Sequence, residues 1–234
     1  MKINYKLIDS FLDTIFPLPE EFGIVSSEYS EGEPVDFDIL LSNVRKVDKS
    51  TYIEYGASKM VINCPSLNVV IKIPFNGFYT EDEFGDLTWT DFRWAPSKED
   101  LSDYCLAEYE KYDELRTYGL DCFVAKTIFY KEKDGVKIFL QEKITPKSEI
   151  WETSYETSKR SRDLAKRWLI EGKISMDLTW IASCIDNYGE LKVKRFLDYC
   201  ENIDLDILED MHNGNFGYRK NETPCLLDFS SFKD

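Results

Sequence analysis

The run Asn68-Val69-Val70-Ile71-Lys72-Ile73-Pro74 constrains this chain more than any other segment. Val69, Val70, Ile71 and Ile73 are β-branched, stiff at χ1 and suited to a pleated surface, so the run reads as a strand. It is too apolar for a solvent-facing edge, yet Lys72 lies in its middle. A lysine is tolerated there when a fixed anionic partner or ligand meets its ammonium. The other reading is an edge lysine whose head snorkels to water. Upstream, Thr51 to Glu54 and Lys59 to Asn63 also read as strands. Gly56-Ala57-Ser58 makes the tight turn between them, and Cys64-Pro65-Ser66 turns the chain into the Lys72 strand. Three antiparallel strands therefore form a small sheet.

A partner for Lys72 is expected further on. Ser97-Lys98-Glu99-Asp100 reads as a capping box that opens a helix, which runs to about Tyr118 and stops at Gly119. Leu101, Tyr104, Glu108, Tyr112 and Leu115 fall on one face at three- and four-residue steps, whereas Glu110 points away. Glu108 thus interrupts an apolar stripe. A carboxylate on a buried face needs a cation or several donors, and Lys72 is the natural one. At the exposed margin of the stripe it would need neither.

The remaining pattern is mixed. Leu7, Ile8, Phe11, Leu12, Ile15 and Phe16 are at helical spacing, and Pro17 and Pro19 stop that helix. Residues 20–50 are acidic and less regular, with a short apolar run at Phe37 to Leu41. Residues 76–100 read as a long insertion with little regular structure. The apolar segments 122–130 and 136–144 flank Lys133-Asp134-Gly135, a hairpin signal. Segments near 155–171, 175–187 and 190–203 have helical periodicity, and the last thirty residues hold two short strands and a loop. Strands with one helix, then helices, then a terminal hairpin make an α+β, two-lobed arrangement.

That loop, Asp210-Met-His-Asn-Gly-Asn215, precedes Leu226-Leu227-Asp228-Phe229. A carboxylate, an amide and a second carboxylate suit phosphoryl transfer, in which one group orients the attacking hydroxyl and two hold metal. Gly214 permits the turn between Asp210 and Asn215. Asp228 follows an apolar strand end and is well placed for Mg²⁺. His212, the one histidine, reads as a structural residue of the loop.

Composition narrows the partners. A net charge of −15 would be repelled by phosphate backbones, which disfavours nucleic-acid binding. It suits solubility, a basic partner, or mimicry of nucleic acid. The six cysteines form no Cys-x-x-Cys pair, so a zinc site has little support and a reducing compartment is expected. No apolar run has signal-peptide or membrane-spanning length; a cytoplasmic chain with no membrane association is expected.

The order Gly56 turn, Val-Ile-Lys72, Glu108, Asp210-x-His-x-Gly-Asn215 and Leu-Leu-Asp228-Phe resembles the protein-kinase-like superfamily. The loop is similar to that of aminoglycoside-phosphotransferase-type kinases, and the tail to small serine/threonine kinases of tailed phages. The resemblance covers roughly residues 51–234. It implies a two-lobed fold: residues 1–50 as an N-terminal extension, 51–145 as an N-lobe with the 76–100 insertion, and 146–234 as a minimal helical C-lobe. It implies that ATP and Mg²⁺ are cofactors and a protein is the substrate or partner. Lys72 would hold the nucleotide phosphates and pair with Glu108, with Gly56, Ser58 and Glu142 as further nucleotide contacts. Asp210 would be the catalytic base, and Asn215 and Asp228 the metal ligands. Typical protein kinases carry peptide-docking helices after this point. With six residues after Asp228, residues 76–100 and 146–203 are expected to shape the acceptor site. A pseudokinase-like interaction module and an acidic inhibitor of a partner protein are the alternative readings.

Overall fold

The computed structural model describes residues 3–16, 37–55, 59–81, 87–94, 104–146, 157–172, 178–202 and 215–229. It is a mixed α+β chain of two compact units, one formed by residues 1–109 and 127–142, the other by 110–126 and 143–234.

The first unit is built on an antiparallel sheet. Its strands are β1 (Tyr52–Tyr55), β2 (Lys59–Asn63), β3 (Val69–Glu81), β4 (Leu87–Trp94), β5 (Thr127–Lys133) and β6 (Val136–Glu142), in the order β1-β2-β3-β6-β5, with β4 pairing β3. The β-branched run at residues 69–73 thus occupies the centre, between β2 and β6. The far half of β3 pairs β4. The hairpin signal at Asp134-Gly135 is realised as a two-residue loop joining β5 to β6. Asp134 (φ 52°) and Gly135 (φ 78°) both take the left-handed backbone that a right-twisted hairpin requires.

The sheet has two chemically distinct faces because side chains alternate along each strand. Met60, Ile62, Ile71, Ile73, Ile138 and Leu140 share one face and are fully buried. Against them pack α1 (Tyr5–Ile15) and α2 (Phe37–Val47) through Ile8, Phe11, Leu12, Ile15, Leu40 and Val44. In α1, the Asn4 side chain caps the helix by accepting from the Leu7 backbone N–H at 3.2 Å. Truncating Phe11 or Leu12 to alanine would cost about 2–5 kcal/mol, by lost transfer energy and the cavity left behind. The opposite face carries Lys59, Lys72, Gln141 and Thr127, and it positions the site.

Two expectations need correction. Residues 20–50 contain α2, which the buried Leu40 and Val44 hold to the core with Phe37, Leu41 and Val47 packed beside them. Residues 76–100 are not mainly irregular, since β3 continues to Glu81 and β4 spans Leu87–Trp94. The register steps from Phe78↔Asp91 to Tyr79↔Trp89, which leaves Thr90 as an extra residue. That bulge breaks the period-two alternation by which a strand is recognised. Ser97 and Leu101 lie outside the described residues; α3 is described from Tyr104 to Thr117.

In the second unit α4 (Lys159–Ile170), α5 (Leu178–Tyr188) and α6 (Glu190–Asn202) pack around Leu164, Trp168, Trp180, Ile181, Val193 and Phe196. Tyr112 and Leu115, from the later turns of α3, join this core, and Phe123 stacks on Phe196 at 4.3 Å between ring centroids. A small sheet of β7 (Thr145–Pro146), β8 (Phe216–Tyr218) and β9 (Pro224–Leu226) completes it. Gly217 is where β7 approaches most closely: a Cβ there would lie 2.1 Å from the Thr145 carbonyl oxygen. All six cysteines are free thiols. Among the described residues no helix is long and apolar enough to cross a membrane.

Candidate functional site

In the first unit, β3 and α3 bring Lys72 and Glu108 together. Lys72 Nζ donates to Glu108 Oε2 at 2.6 Å. The carboxylate is fully buried and the ammonium nearly so. Of the two readings of Lys72, the structure has the one with a fixed anionic partner. Glu108 falls on the buried face of α3, with Tyr112 and Leu115 on the same stripe, whereas Glu110 is exposed.

Three further side chains complete the arrangement. Lys59 Nζ donates to the other oxygen, Glu108 Oε1, at 2.7 Å. Gln141 Nε2 donates to Oε2 at 3.1 Å and to Thr127 Oγ1 at 3.1 Å. Register explains the gathering. Lys59 faces Pro74 across β2 and β3, so Lys59 and Lys72 lie on one face, two residues apart along β3. Gln141 faces Val70 on β3 and Thr127 on β5, which puts both on that face too. A buried carboxylate is stable only when donors meet both oxygens, and Glu108 receives three. None of Lys59, Gln141 and Thr127 is singled out by sequence. Lys59 looks like an ordinary polar residue after a turn, and Gln141 and Thr127 like alternation within strands.

In the second unit, β8 and β9 bring Asn215 and Asp228 together. The pairs Phe216↔Leu226, Gly217↔Cys225 and Tyr218↔Pro224 close the hairpin, so the residue before β8 meets those after β9. The Asn215 carbonyl accepts from the Leu227 N–H at 2.9 Å and from the Asp228 N–H at 3.3 Å. The hairpin is held from behind. Arg219 donates to the carbonyls of Cys122 at 3.0 Å and Val124 at 2.9 Å, and the Ala125 N–H donates to the Leu226 carbonyl at 2.7 Å. Asn215 is buried and Asp228 half-buried. An amide and a carboxylate are hard oxygen donors, the type that Mg²⁺ takes in small number beside phosphate oxygens, so the pair fits that ion. Among the described residues no three His, Cys, Asp or Glu side chains form a metal-holding group.

Asp210, His212, Gly56 and Ser58 lie outside the described residues. Glu142 ends β6, half-buried and opposite Val69. Comparison with family models, with curated proteins and with solved structures returned no match.

Proposed function

We propose that this chain is an ATP- and Mg²⁺-dependent phosphotransferase of the protein-kinase-like type, with a serine or threonine hydroxyl of a protein as acceptor. The observation that carries this reading is the buried ion pair of Lys72 and Glu108. Kinases of this type carry the phosphate-binding lysine on the third strand and orient it with a glutamate of the following helix. Here the lysine is on the third strand of the sheet and the glutamate on α3. The hairpin that ties the Asn215 carbonyl to the Leu227 and Asp228 N–H groups is a second support, because it holds the two residues assigned to the metal side by side.

Each residue then has a role. Lys72 holds the α- and β-phosphates, and Glu108 fixes the direction of its ammonium. Gly56, Ser58 and Glu142 are the further nucleotide contacts. Asp210 orients the acceptor hydroxyl and takes its proton as the bond to the γ-phosphorus forms and the bond to ADP breaks. Asn215 and Asp228 are the ligands for Mg²⁺, which when bound neutralises charge on the phosphate oxygens.

The test is transfer of label from γ-labelled ATP to proteins of a lysate, followed by identification of the phosphorylated residue. Lys72→Met and Asp228→Asn should each lower the rate roughly a hundred-fold or more, the scale of losing one electrostatic stabiliser of a transition state. Transfer unchanged in both variants, or no transfer with the unaltered chain, would refute the enzyme reading. Nucleotide binding without turnover would move the chain to the pseudokinase-like alternative.

A further inference from the structure

We infer that the outward face of α4 is a docking surface for a short acidic peptide segment of a partner protein, one whose carboxylates are followed by a large apolar side chain. The inference does not rest on the phosphotransferase reading. The helix Lys159–Ile170 holds five cations, Lys159, Arg160, Arg162, Lys166 and Arg167, and one acid, Asp163, in a chain whose 44 acids outnumber its 29 bases. All five cations are exposed, because Ser161, Leu164, Ala165 and Trp168 take the buried stripe of the helix. Lys159, Arg162, Lys166 and Ile170 follow one another at three- and four-residue steps. They form a second stripe, turned to solvent, that ends at Ile170 and its neighbour Leu169. Ile170 is 85% exposed and Leu169 42%.

Helix stability does not account for these cations. Lys159, Arg160 and Arg162 lie near the N-terminus of α4, where the helix dipole disfavours positive charge, and its first turn holds no acid. Packing accounts for only some of them. Arg162 donates to the Thr157 carbonyl, and Arg160 reaches Glu190 of α6 only at 4.0 Å. Glu190 is already paired with Lys194 at 2.8 Å, and Asp186 accepts from Ser158 and Ser161. Lys159 and Lys166 form no ion pair among the described residues. The helix sets the size of the partner. Lys159 and Lys166 are about 10 Å apart along the axis, and Ile170 is about 6 Å further on. An extended peptide covers those spans in about three and about two residues. A nucleic acid or an anionic membrane would extend past the stripe and meet the excess of acid on a chain of net charge −15. A peptide of about six residues ends within it.

Selection of a random-peptide display library on the full chain tests the assignment, with the double variant Lys159→Glu, Lys166→Glu as counter-target. Recovered peptides should carry two acids about three residues apart and an apolar residue about two further on. The affinity of a synthetic peptide of that consensus then reads each part of the surface. Lys159→Glu with Lys166→Glu should weaken it roughly ten-fold or more, since attraction at two exposed pairs gives way to repulsion. Ile170→Ser should weaken it roughly three- to ten-fold, through lost apolar contact. The same change of charge made in the first unit, Lys6→Glu with Lys49→Glu, should leave it within about two-fold. All five substituted side chains are exposed, and a thermal melt of each variant checks that the fold is kept. Recovery of peptides without acids, no enrichment over the counter-target, or equal losses from the two double variants overturns the docking site. So does tighter binding to phosphatidylserine vesicles or to a single-stranded oligonucleotide, or self-association of the chain that the α4 double variant abolishes.

Discussion

Replacing Glu108 with alanine should damage the first unit far more than removing either lysine it holds. The carboxylate has no solvent exposure and receives three hydrogen bonds, from Lys59, Lys72 and Gln141. Without it, Lys59 and Lys72 both lose the buried carboxylate that they share. Breaking a buried ion pair by deleting one partner costs about 3–5 kcal/mol, mostly from the charge left behind. Lys72→Met is gentler, because Glu108 keeps its bond to Lys59. Glu108 then loses one of its three hydrogen bonds, about 1.5–3 kcal/mol for a bond to a charged group. Native-state amide exchange reads the first unit by itself, through the amides of β2, β3 and β6. In Glu108→Ala, exchange there should accelerate by roughly two to three and a half powers of ten, and in Lys72→Met by one to two. Amides of β8 and β9 should change less. Equal or reversed costs for the two substitutions would refute the shared-carboxylate account, as would a Glu108→Ala effect smaller than about ten-fold.

Two further outcomes follow from the second unit. Gly217→Ala should push β7 away from β8, because the new methyl would overlap the Thr145 carbonyl. A loss of about 1–3 kcal/mol is expected, read as lower exchange protection in β8, and unchanged protection would contradict the contact. Asp186 ties the N-terminus of α4 to α5. Burial opposes its ionisation, but the Ser161 hydroxyl and the Ser158 N–H and hydroxyl outweigh that and hold its pKa below 3.8. Its folded pKa is depressed, so its contribution is whole above about pH 3.8 and fades as pH falls further towards the folded value. Acid titration followed by amide exchange in α4 should show this loss, and Asp186→Asn should abolish that part of the pH dependence.

Legibility in the sequence followed the physics of each residue. Lys72 stood out because its neighbours are β-branched, and Glu108 because it broke an apolar stripe; each was locally anomalous. Lys59 was not anomalous, since a lysine after a turn is ordinary. Only the pairing Lys59↔Pro74 reveals that it shares a face with Lys72. The pairing of Asn215 with Asp228 was foreshadowed by two short strands between them, but the carbonyl that joins them is backbone and leaves no trace in residue type. The α2 helix was hidden by acidic neighbours, and β4 by the extra residue Thr90, which shifts its alternation out of phase.

The two-faced sheet also has a consequence for how the chain is made. The apolar stripe of α1 is synthesised before the surface it covers, which is assembled from strands ending at Glu142. The Tyr130 hydroxyl that reaches Asp9 comes 121 residues later, and Lys133 meets Asp13 across 120. Until β6 leaves the ribosome, Ile8, Phe11, Leu12 and Ile15 have no complete surface to bury against. Such long-range closure slows folding and leaves apolar surface open to association. Holdase chaperones acting on nascent chains should therefore engage the segment around Phe11 and release it once residue 142 has emerged.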